Sequence, residues 1–199
     1  MARSTAPLTP AAPSGPIHRV ILDSTAIQRA LTRIAHELLE RNSDPSALYL
    51  VGVPNGGVPL ARFLADTLRE ICGEEIVVGV LDTTLYRDDL SRAGARPMLR
   101  PTEMPSAVDE HVVVLVDDVV STGRTIRAAM DALMDFGRPR AVQLVGLVDR
   151  GHRELPIKID YVGKNIPTER RELVELRRVH PDRDWPLEMV LWPQGGEPA

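Results

Sequence analysis

The chain has 199 residues, of which 43% are hydrophobic, 26% charged and only 4% aromatic, with a formal net charge of −4. That is enough aliphatic content for one full core. No apolar run approaches the ~18 residues a membrane helix needs, and the acidic balance argues against nucleic acid as a partner over the whole surface. The single cysteine, Cys72, rules out an internal disulfide and carries no assigned role; the default compartment is the cytoplasm.

Residues 1–18 hold Pro7, Pro10, Pro13 and Pro16 among small residues, without the apolar stretch of a signal peptide, and read as a disordered tail. Residues 20–23 read as a short strand or lead-in. Ser24 or Thr25 then caps a helix running to about Arg41. Ile27, Leu31, Ile34 and Leu38 share one face of that helix, and Arg29, Arg33 and His36 fall within roughly 60° on the opposite side. This stripe is either an ordinary solvated face or a docking surface for phosphates or another subunit.

Residues 47–53 form a buried strand, followed by Pro54-Asn55-Gly56-Gly57. Two glycines after a strand signal either backbone approaching a ligand or a plain tight turn. Residues 58–72 form a helix and residues 76–82 a strand leading into Thr83-Thr84-Leu85-Tyr86-Arg87-Asp88-Asp89. From Leu90 to Glu110 the pattern dissolves into Gly, Pro and Arg, which favours a lid over an inserted hairpin.

Val112 to Val116 are five apolar, mostly β-branched residues, the composition of a strand buried on both faces. Asp117 and Asp118 end the run. Val119, Val120, Ser121, Thr122, Gly123, Arg124 and Thr125 lead into a helical pattern that Gly137-Arg138-Pro139 closes. Unpartnered N–H groups at a helix head favour an anion there, Gly123 lets backbone approach it, and the hydroxyls add donors. A phosphate fits this cradle. The carboxylates would repel it, so they need sugar hydroxyls or a bridging cation; phosphate beside a diol describes ribose 5-phosphate. A mere cap would need one Asp and no Ser-Thr-Gly-x-Thr loop.

Residues 141–148 form another buried strand, residues 160–163 a short one, and residues 173–179 and 187–192 a terminal hairpin, after which residues 194–199 fray. Alternating strands and helices give an α/β fold: a mainly parallel twisted sheet flanked by helices, in a single domain over residues 19–193. The loops at 54–57, 82–89, 117–125, 149–156 and 162–168 all follow strands, so they converge beyond one end of the sheet. No Cys or His spacing suggests a resident metal.

The stretch from Val113 to Thr125 resembles the phosphoribosyl-pyrophosphate signature of the type I phosphoribosyltransferases. It is not a Walker loop, since no Gly-Lys-Ser/Thr follows. Longer strings are more specific: Arg29-Ala30-Leu31-Thr32-Arg33-Ile34-Ala35-His36-Glu37, Leu85-Tyr86-Arg87-Asp88-Asp89-Leu90, the run from Val148 to Pro156, and Tyr161-Val162-Gly163-Lys164-Asn165-Ile166-Pro167-Thr168. These resemble the PyrR family, bacterial pyrimidine-operon regulators that are also uracil phosphoribosyltransferases, and the likeness spans nearly everything after residue 18.

The resemblance implies that Asp117 and Asp118 face the ribose hydroxyls, that Arg87 belongs to the catalytic loop, that Ser121 to Thr125 hold the 5′-phosphate, and that Val119 and Val120 also belong to the substrate-binding stretch. It implies that Asn55 and Gly56 form the pyrophosphate loop. Asp149, Arg150 and Val162 would line the base site, Val162 reading uracil through backbone groups. Mg²⁺ is expected mainly through the substrate. The implied ligands are phosphoribosyl pyrophosphate, uracil, UMP and UTP, and a pyrimidine-operon leader RNA held by Arg29, Arg33, His36, Arg153 and Lys164, on a homodimer or homotetramer. A phosphoribosyltransferase for another base, or an RNA-binding regulator with little activity, are the alternatives. One departure stands out. The family's pyrophosphate loop usually reads Thr-Arg-Gly, and Asn55-Gly56-Gly57 lacks that guanidinium; weaker donor binding is expected unless another arginine, such as Arg87, compensates.

Overall fold

A computed structural model describes residues 19–88, 101–180, 182–183 and 185–193. In chain order the elements are β1 (Arg19–Leu22), α1 (Ser24–Arg41), β2 (Leu48–Gly52), α2 (Gly57–Cys72), β3 (Val77–Val80), β4 (Val112–Val120), α3 (Arg124–Leu133), β5 (Ala141–Asp149), β6 (Tyr161–Asn165), β7 (Leu173–Arg178) and β8 (Leu187–Trp192). Five strands form a parallel sheet in the order β3-β2-β4-β5-β6, and β1-β8-β7 form a separate antiparallel sheet.

The parallel sheet follows from its sequence. Every residue of β2 and the first six of β4 are buried, as strands covered on both faces must be. Side chains alternate along β4. Val112, Val114 and Val116 pack with Ile27 and Leu31 of α1 and Leu60 and Leu64 of α2, whereas Val113 and Leu115 pack with Ile126, Ala129 and Leu133 of α3. Asn42, just beyond α1, is buried in a polar knot with Gln143 of β5 and Tyr161 of β6: Tyr161 donates to Gln143 Oε1 at 2.8 Å, and Gln143 Nε2 donates to Asn42 Oδ1 at 3.0 Å. Each polar group is satisfied, so the knot fixes the end of α1 against the sheet.

Four expectations change. The cap of α1 is Asp23, whose Oδ1 accepts from the Ala26 N–H at 2.7 Å, rather than Ser24 or Thr25. The terminal hairpin exists, but its free edge is taken by β1 from the other end of the chain, with Val20 opposite Val190. The acid pair lies inside β4 rather than after it: Asp117 is in register with Gly146, and the strand continues to Val120. Of the irregular stretch 90–110, the last part is fixed, with Glu103 bridged to Val80 and Val108 fully buried; residues 89–100, where the lid was expected, lie outside the described residues, as do 1–18 and 194–199.

Two glycines let α2 seat against the sheet. A Cβ on Gly52 would lie 2.6 Å from Val58 Cα, and one on Gly57 would lie 2.0 Å from the Val116 carbonyl oxygen. Neither neighbour is a flexible side-chain end. Gly57→Ala should therefore cost at least about 1–3 kcal/mol through overpacking. Urea unfolding would read this as a lowered midpoint, while Gln28→Ala on the exposed face of α1 should stay within about 0.5 kcal/mol of the parent.

Candidate active site

The phosphate loop is built by turning its carbonyls away. The Val120 carbonyl accepts from the Arg150 N–H at 3.0 Å, and Thr122 accepts from Glu154 and Leu155 at 3.0 and 3.2 Å. Arg153 Nη1 donates to the Ser121 carbonyl at 2.6 Å. With these acceptors satisfied by residues 149–157, the loop offers its other side, N–H groups and the hydroxyls of Ser121, Thr122 and Thr125, to a ligand. Gly123, at φ 90°, is the turn into α3 and supplies no side-chain cap; Thr122 Oγ1 accepts from the Arg124 N–H at 3.3 Å, and the N–H groups beyond it, with the positive dipole end, remain at the helix head. Arg124 does not face a ligand. Its guanidinium bridges Asp88 at 2.5 Å and Glu154 at 2.8 Å, joining the loop after β3 to the loop after β5.

Asp117 and Asp118 are consecutive in β4, and their carboxyl groups lie within hydrogen-bond reach of each other. Asp117 is 5% exposed, and its Oδ1 accepts the Asp118 N–H at 3.1 Å. Burial, and then the Asp118 charge, push its pKa well above the usual carboxylate range, with the Arg87 guanidinium acting in the opposite direction. Arg87 is thus brought to the acid pair. Burial also raises Asp118, and Glu175 of β7 adds to the rise.

Asp118 explains the pyrophosphate loop. A Cβ at Gly56 would sit 2.2 Å from Asp118 Oδ2 and 2.7 Å from Asp118 Cβ. The place where a side chain at 56 would begin is thus filled by the acid. The Pro54–Asn55 peptide just before it is cis. Beside this loop lies a cavity of about 680 Å³, whose walls include Asn55, Gly56, Arg62, Glu175, Arg177 and Arg178. The last three come from β7. Nothing in the sequence marked them beyond their place in a terminal hairpin; it takes the second sheet to bring them here.

The expected base-site residues hold the site together from behind. Arg150 donates to Thr168 Oγ1 at 2.9 Å and to the Glu172 carbonyl at 2.6 Å. Asp149 accepts from the Gly151 N–H at 2.8 Å and pairs with Arg153 at 2.9 Å. Their charged ends are committed to protein partners, as partly buried charges require. Arg153, expected on an RNA face, is likewise committed: it also donates to the Ile157 carbonyl at 2.9 Å. Arg33 is exposed and is also bonded within the protein. It reaches across to β6, donating to the Val162 and Gly163 carbonyls at 2.8 and 3.0 Å, and pairs with Glu37 at 2.5 Å. Arg29, Arg33 and His36 on α1 and Lys164 on β6 are exposed, and the three α1 residues border a shallow groove with Thr25, Gln28 and Thr32.

Residues 20–176 match the phosphoribosyl transferase domain model. The chain is 57% identical over 157 residues to the bifunctional protein PyrR of Pelotomaculum thermopropionicum, covering 79% of this chain and 87% of the relative. It is 50% identical over 176 residues to that of Thermus aquaticus, covering 88% and 96%. The chain belongs to the PyrR family. Among solved structures, a mutant hypoxanthine phosphoribosyltransferase of Trypanosoma cruzi, in a ternary substrates complex, aligns with a TM-score of 0.66 at 19% identity, covering 87% of this chain and 94% of that one. A Staphylococcus aureus hypoxanthine phosphoribosyltransferase aligns at 0.59 and 21% identity, covering 76% and 79%. At such identities the likeness is one of fold: the family's type I phosphoribosyltransferase fold.

The buried acid pair has a measurable signature. Folded Asp117 holds its proton to higher pH than the unfolded chain does, so stability falls as pH rises from the ordinary carboxylate range through the raised value. Asp117→Asn removes this burden. In ligand-free protein its melting temperature should exceed the parent's at about pH 8, by roughly 2–4 °C for each kcal/mol relieved, and the difference should shrink toward about pH 4. A gain that grows on acidification would contradict the assignment.

Proposed function

We propose that the chain transfers ribose 5-phosphate from phosphoribosyl pyrophosphate to uracil, giving UMP and pyrophosphate, and that it senses uridine nucleotides at this site while binding a pyrimidine-operon leader RNA. One observation carries the reading: a buried acid pair immediately before a donor-rich loop at the head of α3, in a chain of the PyrR family.

In this reading the 5′-phosphate rests on Ser121 to Thr125, and Asp117 and Asp118 face the ribose. The bond from the anomeric carbon to pyrophosphate breaks as the bond to the base forms. The positive charge that develops on the ribose is met by carboxylates already in place. Asp118 and Glu175 present oxygen ligands beside the pyrophosphate loop. Among the described residues no cluster of three or more His, Cys, Asp or Glu is arranged to hold a metal. This donor set suits Mg²⁺ brought in on the substrate's own oxygens, where it would neutralise the leaving group.

For the regulatory role, Arg29, Arg33, His36 and Lys164 are the exposed cations of the expected set, on adjoining elements α1 and β6. Assembly as a homodimer or homotetramer is supported by exposed Leu85, Met134 and Phe136, which are 68%, 52% and 37% exposed on neighbouring turns beside α3. A cytoplasmic location accords with the absence, among the described residues, of any helix long and apolar enough to cross a membrane. The bare Gly56 favours a second reading, a regulator with weak turnover.

With phosphoribosyl pyrophosphate and Mg²⁺, uracil should be consumed in preference to hypoxanthine, guanine, adenine and orotate. Asp118→Asn should lower kcat by about 100-fold or more, whereas Ser121→Ala, one donor among several, should cost under roughly tenfold. Robust use of a purine and none of uracil would overturn the specificity; normal UMP binding without turnover would favour the second reading.

Gel-shift titrations at several salt concentrations address the RNA. Replacing Arg29 and Lys164 by Ala should weaken leader binding and lower the log–log salt slope by about 0.7 for each phosphate pairing removed. UMP should tighten the complex, and by linkage RNA should tighten UMP equally. Binding no stronger than to a scrambled RNA, and indifferent to UMP, would leave only the enzyme.

A further inference from the structure

The pyrophosphate loop cannot hold its ligand with a side-chain cation. Asn55 is neutral, the Cβ position of Gly56 is filled by Asp118, and that of Gly57 lies against the Val116 carbonyl. The loop therefore offers backbone donors and one amide to the most highly charged part of the donor molecule. Such a group calls for guanidinium, whose fork matches phosphate oxygens in pairs.

The same cavity supplies guanidinium from its other walls. Arg177 and Arg178 come from β7 and Arg62 from the second turn of α2. They are not equivalent. Arg177 pairs with Glu188 at 2.5 Å across the β7–β8 register and is only partly exposed; all three arginines have partners within the protein, and exposure is what separates them. Arg178 and Arg62 are exposed where they border the cavity. Glu103 and Glu175 also line it, so an uncomplexed pyrophosphate would meet two carboxylates as well as the arginines.

We propose that Arg178, assisted by Arg62, grips the donor's pyrophosphate from across the cavity and replaces the guanidinium that the loop lacks at Gly56. The inference rests on the phosphoribosyl-transfer reading. It makes the donor a bridge between the two sheets, held by Asn55 and Gly56 on one side and by β7 on the other. The two carboxylates on the same walls make Mg²⁺ a requirement for binding pyrophosphate alone. A side chain built onto position 56 does not restore the family arrangement, because it would displace Asp118.

The test is calorimetric titration of the full chain, with excess Mg²⁺, by phosphoribosyl pyrophosphate, by inorganic pyrophosphate and by UMP in separate experiments. Arg178→Gln should weaken the first two by roughly tenfold or more and leave UMP within about twofold, since UMP carries no pyrophosphate. Arg178→Lys should recover part of the loss. Arg62→Gln should show a smaller loss with the same selectivity, and Arg138→Gln, a charge removal outside the cavity lining, should change none of the three. Unchanged donor binding in both Arg178→Gln and Arg62→Gln would overturn the proposal, as would an equal loss for UMP, which marks a general charge effect. The parent reading fails separately: a chain that binds the donor through Arg178 but turns over no uracil keeps this inference and loses the base assignment, while a parent chain that binds neither pyrophosphate ligand loses both.

Discussion

Two adjacent carboxylates buried at the far end of the central strand are the constraint around which this molecule is arranged. Desolvation disfavours both charges, and their proximity adds to the cost at Asp117. Asp118 lies against Gly56 and feels the charge of Glu175 of β7, while Asp117 feels the charge of Arg87. β4 lies between β2 and β5, at the centre of the parallel sheet. Asp117 is in parallel register with Gly146, where a side chain would press on Ile159 and Val120.

The surrounding loops then divide their labour by hydrogen-bond polarity. Residues 149–157 take up the carbonyls of Val120, Ser121 and Thr122, and Arg153 brings positive charge to the same side. That leaves an anion-facing surface of donors, which the head of α3 extends. The brace is itself braced: Arg150 and His152 are tied to the segment around Thr168, His152 Nε2 lying 2.7 Å from the Thr168 carbonyl. These polar side chains are partly buried and bonded to that segment, which makes them good supports.

How much of this was legible in the sequence depended on range. The run from Val112 to Thr125 announced itself because strand, acids, loop and helix head are contiguous, and local chemistry decides them. The helices and the converging loops were legible for the same reason. The position of the acids inside the strand was not, since a carboxylate carries no strand signal of its own. Asp23 as the cap was missed because Ser24 and Thr25 beside it are equally good capping residues. The β1–β8 pairing joins residues from opposite ends of the chain, and so does the placing of Glu175, Arg177 and Arg178 against Gly56; no local pattern encodes contacts of that separation. Charged residues were the least legible class. Arg33, Arg150 and Arg153 looked solvent- or ligand-facing by sequence, yet each is bonded to backbone carbonyls of other segments.

Arg33 has the widest consequence among them. It stands on the outward stripe of α1 with Arg29 and His36, and its guanidinium also holds the carbonyls of Val162 and Gly163 in β6. β6 is the edge of the parallel sheet, and among the described elements α1 packs against it from outside the sheet. One residue therefore belongs at once to an exposed basic face and to the strand that borders the nucleotide loops. A partner on α1 that drew Arg33 away would release those carbonyls. A ligand that needed them in place would disfavour such a partner, and by reciprocity the partner would disfavour the ligand. A partner that engaged Arg29 and His36 while leaving Arg33 bonded would instead steady β6 and favour the same ligand. The sign of communication between the two faces is thus decided at this one guanidinium, by whether its bonds to Val162 and Gly163 survive the encounter.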